Sequence, residues 1–168
     1  MSPVAPDAGF SQFFSSEYPK VWRSLALALG DPTSAEDVAQ DAFARALRRW
    51  RSVRRMDRPG TWVYVVALRA HRRAMWRDSR IVTGIDGVDT EEADPIRSST
   101  RSMWVANGLA TLSPRQRCAV VLRYYADLPV ADIAAAMGCA PGTVKATLHS
   151  ALTKLRVSLE PEEVSNAH

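Results

Sequence analysis

Apolar residues recur along most of this chain at intervals of three and four, the period of an amphipathic helix, and seldom at the interval of two that marks a strand. Phe10, Phe13 and Phe14, then Val21, Trp22, Leu25 and Leu29, keep that spacing up to Gly30, which reads as a stop. Thr33 with Glu36, or Ser34 with Asp37, fits a capping box opening a second helix that runs to about Arg51. On it Ala35, Val38, Ala39, Ala42, Phe43, Ala46 and Trp50 share one broad face, which is assigned to the core. A third helix is predicted from Pro59, a residue tolerated in a first helical turn, to about Arg77. Further helices are predicted at about 102–112, 114–126, 130–137 and 141–155.

One stretch breaks the pattern. IVTGIDGVDTEEADPIRSS has no sustained period of 3.6 or 2 and contains Gly84, Gly87 and Pro95, so it reads as a linker. The expectation is an all-α protein of two small helical domains joined by a flexible acidic linker. The domains are residues 1–80 and 101–157, the linker is 81–100, and 158–168 form a tail.

In the second domain DIAAAMGCAPGTVKATL ends one short helix at Gly138 and starts another within four residues. Gly138 suits the left-handed conformation of a helix C-cap, and Ala134 and Ala135 allow a close approach. On the last helix Val144, Leu148, Ala151, Leu152 and Leu155 form an apolar stripe, while Lys145, Ala146, His149, Ser150 and Thr153 occupy the opposite arc. An αα-hairpin with a solvated outer face has the same spacing. The acid-free arc and the basic neighbours Arg115, Arg117 and Arg123 favour a helix-turn-helix, whose second helix enters the major groove.

Charge sharpens this picture. The 168 residues carry a net +4, but residues 1–80 hold 14 Lys/Arg against 8 Asp/Glu, and 81–100 hold 1 against 5. Between 45 and 80 there are 12 arginines against Asp57 and Asp78, with no lysine. Arginine matches phosphate and stacks on aromatic planes, so a polyanion is the expected partner. In TWVYVVALRAHRRAMWR the positions of Trp62, Arg69, Arg72, Arg73 and Trp76 fall on one side of a helix, and Arg54, Arg55 and Arg58 precede it in a basic loop. Cations for a backbone beside flat side chains for unstacked bases suit single-stranded nucleic acid. Trp62 and Trp76 also fit a core, and His71 reads as a core-edge histidine. On the second helix Asp37, Gln40 and Asp41 share the polar side; Asp37 and Asp41 repel at i, i+4 unless something basic docks there, although Arg45 can pair with Asp41.

Other classes find no support. The start lacks a signal-peptide pattern and the longest apolar run, Trp62 to Leu68, is too short for a bilayer, so a cytoplasmic protein without membrane insertion is expected. Cys118 and Cys139 form no metal-ligand or disulfide pattern. No carboxylate cluster, activated nucleophile or Gly-rich phosphate loop points to an enzyme, so neither catalytic residues nor a cofactor are expected.

AEDVAQDAFARALRRW, then RPGTWVYVVALRAHRR, then the acidic segment, then LSPRQRCAVVLRYYADLPVADIAAAMGCAPGTVKATLHSALTKLR, resembles the bacterial sigma factors of the extracytoplasmic-function (ECF) class over roughly residues 10–157. The resemblance implies a first domain that binds the clamp helices of the RNA polymerase β′ subunit and opens the downstream (minus 10) promoter element. It implies a second domain that reads the upstream (minus 35) element, with core polymerase (β′ and β), promoter DNA and often an inhibitory anti-sigma factor as partners. Carried over by position, Asp37, Gln40 and Asp41 would touch polymerase. Trp62, Arg69, Arg72 and Arg73, with the loop before them, would lie near the melted strand; Thr143, Lys145, Thr147, His149 and Ser150 would face the upstream element. Arg69 and Arg73 stand where many members have Asn and Asp, and Thr147 and Ser150 where many have Arg, so a promoter sequence does not carry over. A stand-alone helix-turn-helix regulator, binding an operator without polymerase, is the other expectation.

Overall fold

A computed structural model describes residues 7–81 and 100–159, with side chains for 7–73 and 103–158. Most of the expected linker and tail, and the side chain of Trp76, lie outside the described residues. Helices α1 (Ala8–Leu29), α2 (Pro32–Arg48), α3 (Trp50–Val53) and α4 (Pro59–Ile81) form the first half. The second half is α5 (Thr100–Ala110), α6 (Pro114–Val120), a π-helical segment (Val121–Tyr125), α7 (Val130–Met137) and α8 (Pro141–Leu159). There is no strand among the described residues, in line with the all-α expectation.

Caps account for several helix ends. The Asp31 carboxylate opens α2 by accepting from the Thr33 amide at 3.0 Å and from the Ser34 hydroxyl, and Pro32 takes the first helical position. Neither box expected at Thr33 or Ser34 forms, because an aspartate followed by proline is already a complete start two residues earlier. The Ser34 hydroxyl bond, ahead of the two backbone amides, holds the Asp31 carboxyl below its ordinary value. A carboxyl lowered in the folded state stabilises fully above its unfolded pKa, and that stability drains as pH falls through the folded value. Asp31→Ala should therefore cost about 1 kcal/mol at neutral pH. In chemical denaturation the gap to the parent should narrow below about pH 4; a gap independent of pH would exclude the cap. The reciprocal box does occur at α6, where Gln116 N donates to Ser113 Oγ at 3.2 Å and Ser113 N donates to Gln116 Oε1 at 3.1 Å.

In the first half α2 packs on α1 and α4 packs on α2, joining Val21, Leu25, Ala35, Ala39, Ala42, Phe43, Val63 and Ala67 in one buried cluster. Phe43 sits among the rings of Phe13, Phe14 and Tyr18, with centroids 5.2–5.8 Å away. A buried polar pair, Ser24 Oγ and Tyr64 Oη at 2.9 Å, ties α1 to α4. In the second half Leu122, Leu128, Ile133, Val144, Leu148 and Ala151 are buried under α6, α7 and α8. Leu152 stays 39% exposed, so the apolar stripe on α8 is narrower than its spacing predicts.

Where one continuous helix was expected at 114–126, α6 passes into the π-helical segment, closed by Ala126 N donating to Val121 O at 3.0 Å. The turn after it places Asp127 at φ 54°. The two halves touch: α7 lies along α4, and α1 packs against α6 and the π segment.

Candidate polymerase and nucleic-acid interfaces

The expected hinge between brace and reader is present. Gly138 closes α7 at φ 68°, its amide donating to Ala134 O at 2.8 Å, and α8 begins three residues later. Ala140 offers no side-chain cap; its carbonyl instead accepts from Thr143 and Val144. With Val144, Leu148 and Ala151 buried, helical geometry puts Lys145, Ala146, His149, Ser150 and Thr153 outside. Of these Lys145, His149, Ser150 and Thr153 are exposed and Ala146 is exposed beside them. Thr143 is exposed as well, and Thr147 is half-buried with its hydroxyl returned to Thr143 O at 2.8 Å. Ser150 Oγ accepts from Gln116 Nε2 at 3.0 Å, which ties α8 to α6. Arg115, exposed on the first turn of α6, adds a cation at that end.

On α2 the exposed side carries Glu36, Asp37, Gln40, Asp41, Ala44 and Arg48. Gln40 Nε2 donates to Glu36 Oε1 at 3.2 Å, and Asp41 pairs with Arg45 at 2.9 Å. Asp37 takes no part in the helix cap, which Asp31 supplies, and is exposed. The result is an acidic strip on a rigid helix, suited to a basic partner surface.

The basic loop and α4 divide among three settings. Arg54, Arg55 and Arg58 are exposed between α3 and α4, with Arg54 reaching Asp7 Oδ2 at 3.4 Å. Trp62 is half-buried against the core yet forms one wall of a cleft of about 300 Å³ shared with Arg45, Arg48, Arg49 and Val66. One flat ring and three guanidinium groups around a cleft match what an unstacked base and its phosphates require. Arg48 and Arg49 come from the end of α2, and helical spacing on α4 alone could not have found them. Arg69 and Arg73 are exposed and Arg72 is half-buried against Gly138 of α7; Arg69 Nε also donates to Ala135 O of α7 at 3.1 Å. Thus the structure does not bring all three α4 arginines to one open ridge.

Burial shifts two titratable groups near the seam. Burial pulls the His71 pKa below its ordinary value, with Asp31 acting the other way. Burial pushes the Cys118 thiol up to about 12. No cluster of metal-ligating side chains occurs among the described residues, and no described helix is long and apolar enough to cross a membrane.

Comparison with known proteins places both halves of the chain in one family. Sigma-70 region 2 matches residues 13–81, and Sigma-70 region 4 matches residues 102–155. The chain is 31% identical over 156 residues to the RNA polymerase sigma-E factor of Streptomyces coelicolor, covering 89% of this chain and 85% of that one. It is also 31% identical over 166 residues to the ECF RNA polymerase sigma factor SigL of Mycobacterium tuberculosis, covering 94% and 93%. The sigma factor RpoE of Bartonella quintana, solved with the anti-sigma factor NepR, shares the fold at a TM-score of 0.74 and 23% identity, over 92% of this chain and all of that one. A chain with both sigma regions in this order belongs to the ECF RNA polymerase sigma factors.

Proposed function

We propose that the chain works as a dissociable promoter-specificity subunit, in which residues 1–80 hold polymerase and the downstream element, 81–100 connect, and 101–157 read the upstream element. The observation that carries this reading is the pairing of an acidic strip on α2 with two separate exposed basic surfaces on one small chain. Asp37, Gln40 and Asp41 dock on core polymerase. Arg54, Arg55, Arg58, Trp62, Arg69, Arg72 and Arg73 serve the melted strand, and the Trp62 cleft adds Arg48 and Arg49 to that set. Thr143, Lys145, Thr147, His149, Ser150 and Arg115 serve the upstream duplex, where phosphate contacts set position and base-edge contacts set sequence. The protein acts in the cytoplasm, where polymerase and chromosome meet, and catalyses no reaction itself. An anti-sigma factor, the kind of partner seen with the Bartonella RpoE, is a natural inhibitor for the same faces.

The test is reconstitution: purified chain with core polymerase, then runoff transcription on genomic fragments. Defined transcripts that require both components support the reading; a chain that fails to bind core excludes it. Lys145→Glu should weaken occupancy of the upstream element by at least tenfold, through loss of a phosphate-matched cation and gain of a repelling anion. Footprinting of the holoenzyme reads this directly, and an unchanged upstream footprint would remove α8 from the reader role. A stand-alone regulator would instead bind its operator tightly without polymerase.

A further inference from the structure

A cleft of about 480 Å³ opens at the seam between the halves, with walls from α1, α4, α6 and the end of α7. Three arginines line it, Arg72 from α4 and Arg115 and Arg117 from α6, and no carboxylate does among the described residues. Most of the other walls are apolar, Leu29, Leu68 and Met137 among them. Asp31, whose charge reaches His71 on the α4 wall, is committed to the start of α2 through Thr33 and Ser34.

Two of these guanidinium groups are held in place by the fold. Arg117 donates from Nε to Ala28 O at 3.4 Å and from Nη2 to Leu29 O at 3.5 Å, and a Cβ on Gly30 would stand 2.9–3.0 Å from its Cζ and both Nη atoms. The group therefore lies face-on to Gly30, which closes α1 at φ 69° and has no side chain to displace it. Arg72 is half-buried, its guanidinium so close to Gly138 that a Cβ there would overlap it. Its Nη1 is buried with no hydrogen-bond partner among the described residues. The carbonyl ends of α1 and α7 offset these charges only as partial dipoles. A buried donor left unpaired is costly, and a cleft lined by one sign of charge between apolar walls concentrates the opposite ion from solution.

We propose that this cleft is a binding site for a nucleoside diphosphate, with its phosphates on Arg72, Arg115 and Arg117 and its base against Leu29, Leu68 and Met137. Several guanidinium groups around one space suit a multiply charged phosphate, since each contact is a charge-assisted hydrogen bond. The apolar walls call for more than a bare anion. Guanidinium planes and a methionine sulfur favour a flat aromatic body over a saturated chain. The volume, about 480 Å³, is that of an ordinary small-molecule site. The site does not depend on the promoter assignments, because Arg117 belongs to neither promoter-contacting set.

Isothermal titration of the full chain with ADP tests this. ADP should bind at a single site with a Kd of about 100 µM or tighter. Adenosine and inorganic phosphate, each lacking one half of the recognised groups, should bind at least about tenfold more weakly. Absence of saturable ADP binding overturns the proposal, as does inorganic phosphate or the DNA fragment TpT binding as tightly as ADP. Arg117→Ala should weaken ADP about tenfold or more by removing a charge-assisted contact. Arg51→Ala, which removes an exposed arginine outside the cleft, should leave it unchanged. Equal losses in the two variants would mean general attraction to a basic chain and no site. A loss on Arg49→Ala but not on Arg117→Ala would put the nucleotide in the Trp62 cleft and overturn the proposal too. If Arg117→Ala does not fold, the parent decides: photo-crosslinking with 8-azido-ADP should label residues lining the seam cleft, and adducts confined to other segments overturn the assignment.

Discussion

Asp41→Arg should reduce holoenzyme formation at least a hundredfold while leaving the fold intact. Asp41 is exposed on α2, and its partner among the described residues is Arg45, one turn later. An exposed i, i+4 pair contributes under about 1 kcal/mol, and the new like-charge pair costs a few tenths more. The domain therefore stays folded, with at most a small shift in melting temperature. Binding responds on a different scale, since placing like charges opposite each other across an interface costs several kcal/mol, and a hundredfold is about 2.7 kcal/mol. Co-elution of the chain with core polymerase on a sizing column reads the effect, and thermal denaturation supplies the control. Normal co-elution of the variant would take the acidic strip out of the polymerase interface.

Phe43→Ala should produce the largest loss of stability of any single truncation in the first half. Phe43 is 2% exposed and is the ring on which Phe13, Phe14 and Tyr18 converge, so its removal leaves a cavity that rigid helices cannot close. Such a truncation costs about 3–5 kcal/mol, against a total of about 5–15 for an ordinary domain. Because α1 also packs on α6 and the π segment, the second half loses part of its support too. Guanidinium denaturation followed by tryptophan fluorescence should show a midpoint lowered by a large fraction of its value. A loss below about 1 kcal/mol would mean the aromatic group is not the centre of that core.

Local signals are readable without coordinates, and non-local ones are not. The stops at Gly30 and Gly138 and the short helix at Val130–Met137 follow from glycine chemistry and 3.6-residue spacing, both properties of adjacent residues. The outer face of α8 is legible for the same reason. The start of α2 lies two residues ahead of the expected capping boxes, although Asp31 followed by Pro32 carries the signal. The break between α2 and α3 at Arg49 is unmarked, since no glycine or proline stands there. Arg69, Arg72 and Arg73 look alike on a helical wheel, but contact with α7 half-buries Arg72 and leaves the other two exposed. Likewise Arg48 and Arg49 join Trp62 in one cleft only because α2 folds back beside α4.

The π-helical segment has a geometric consequence of its own. Residues 121–125 accommodate a wider loop of backbone than an α-helical turn would, and each residue added to or taken from such a turn rotates the downstream chain by about 100°. Deleting one residue there would swing Ala135 and Gly138 away from α4 and carry the α8 arc to a new bearing. That short stretch thus works as an angular vernier, setting the bearing of α7 and α8 against α4 without altering a single residue in any of them.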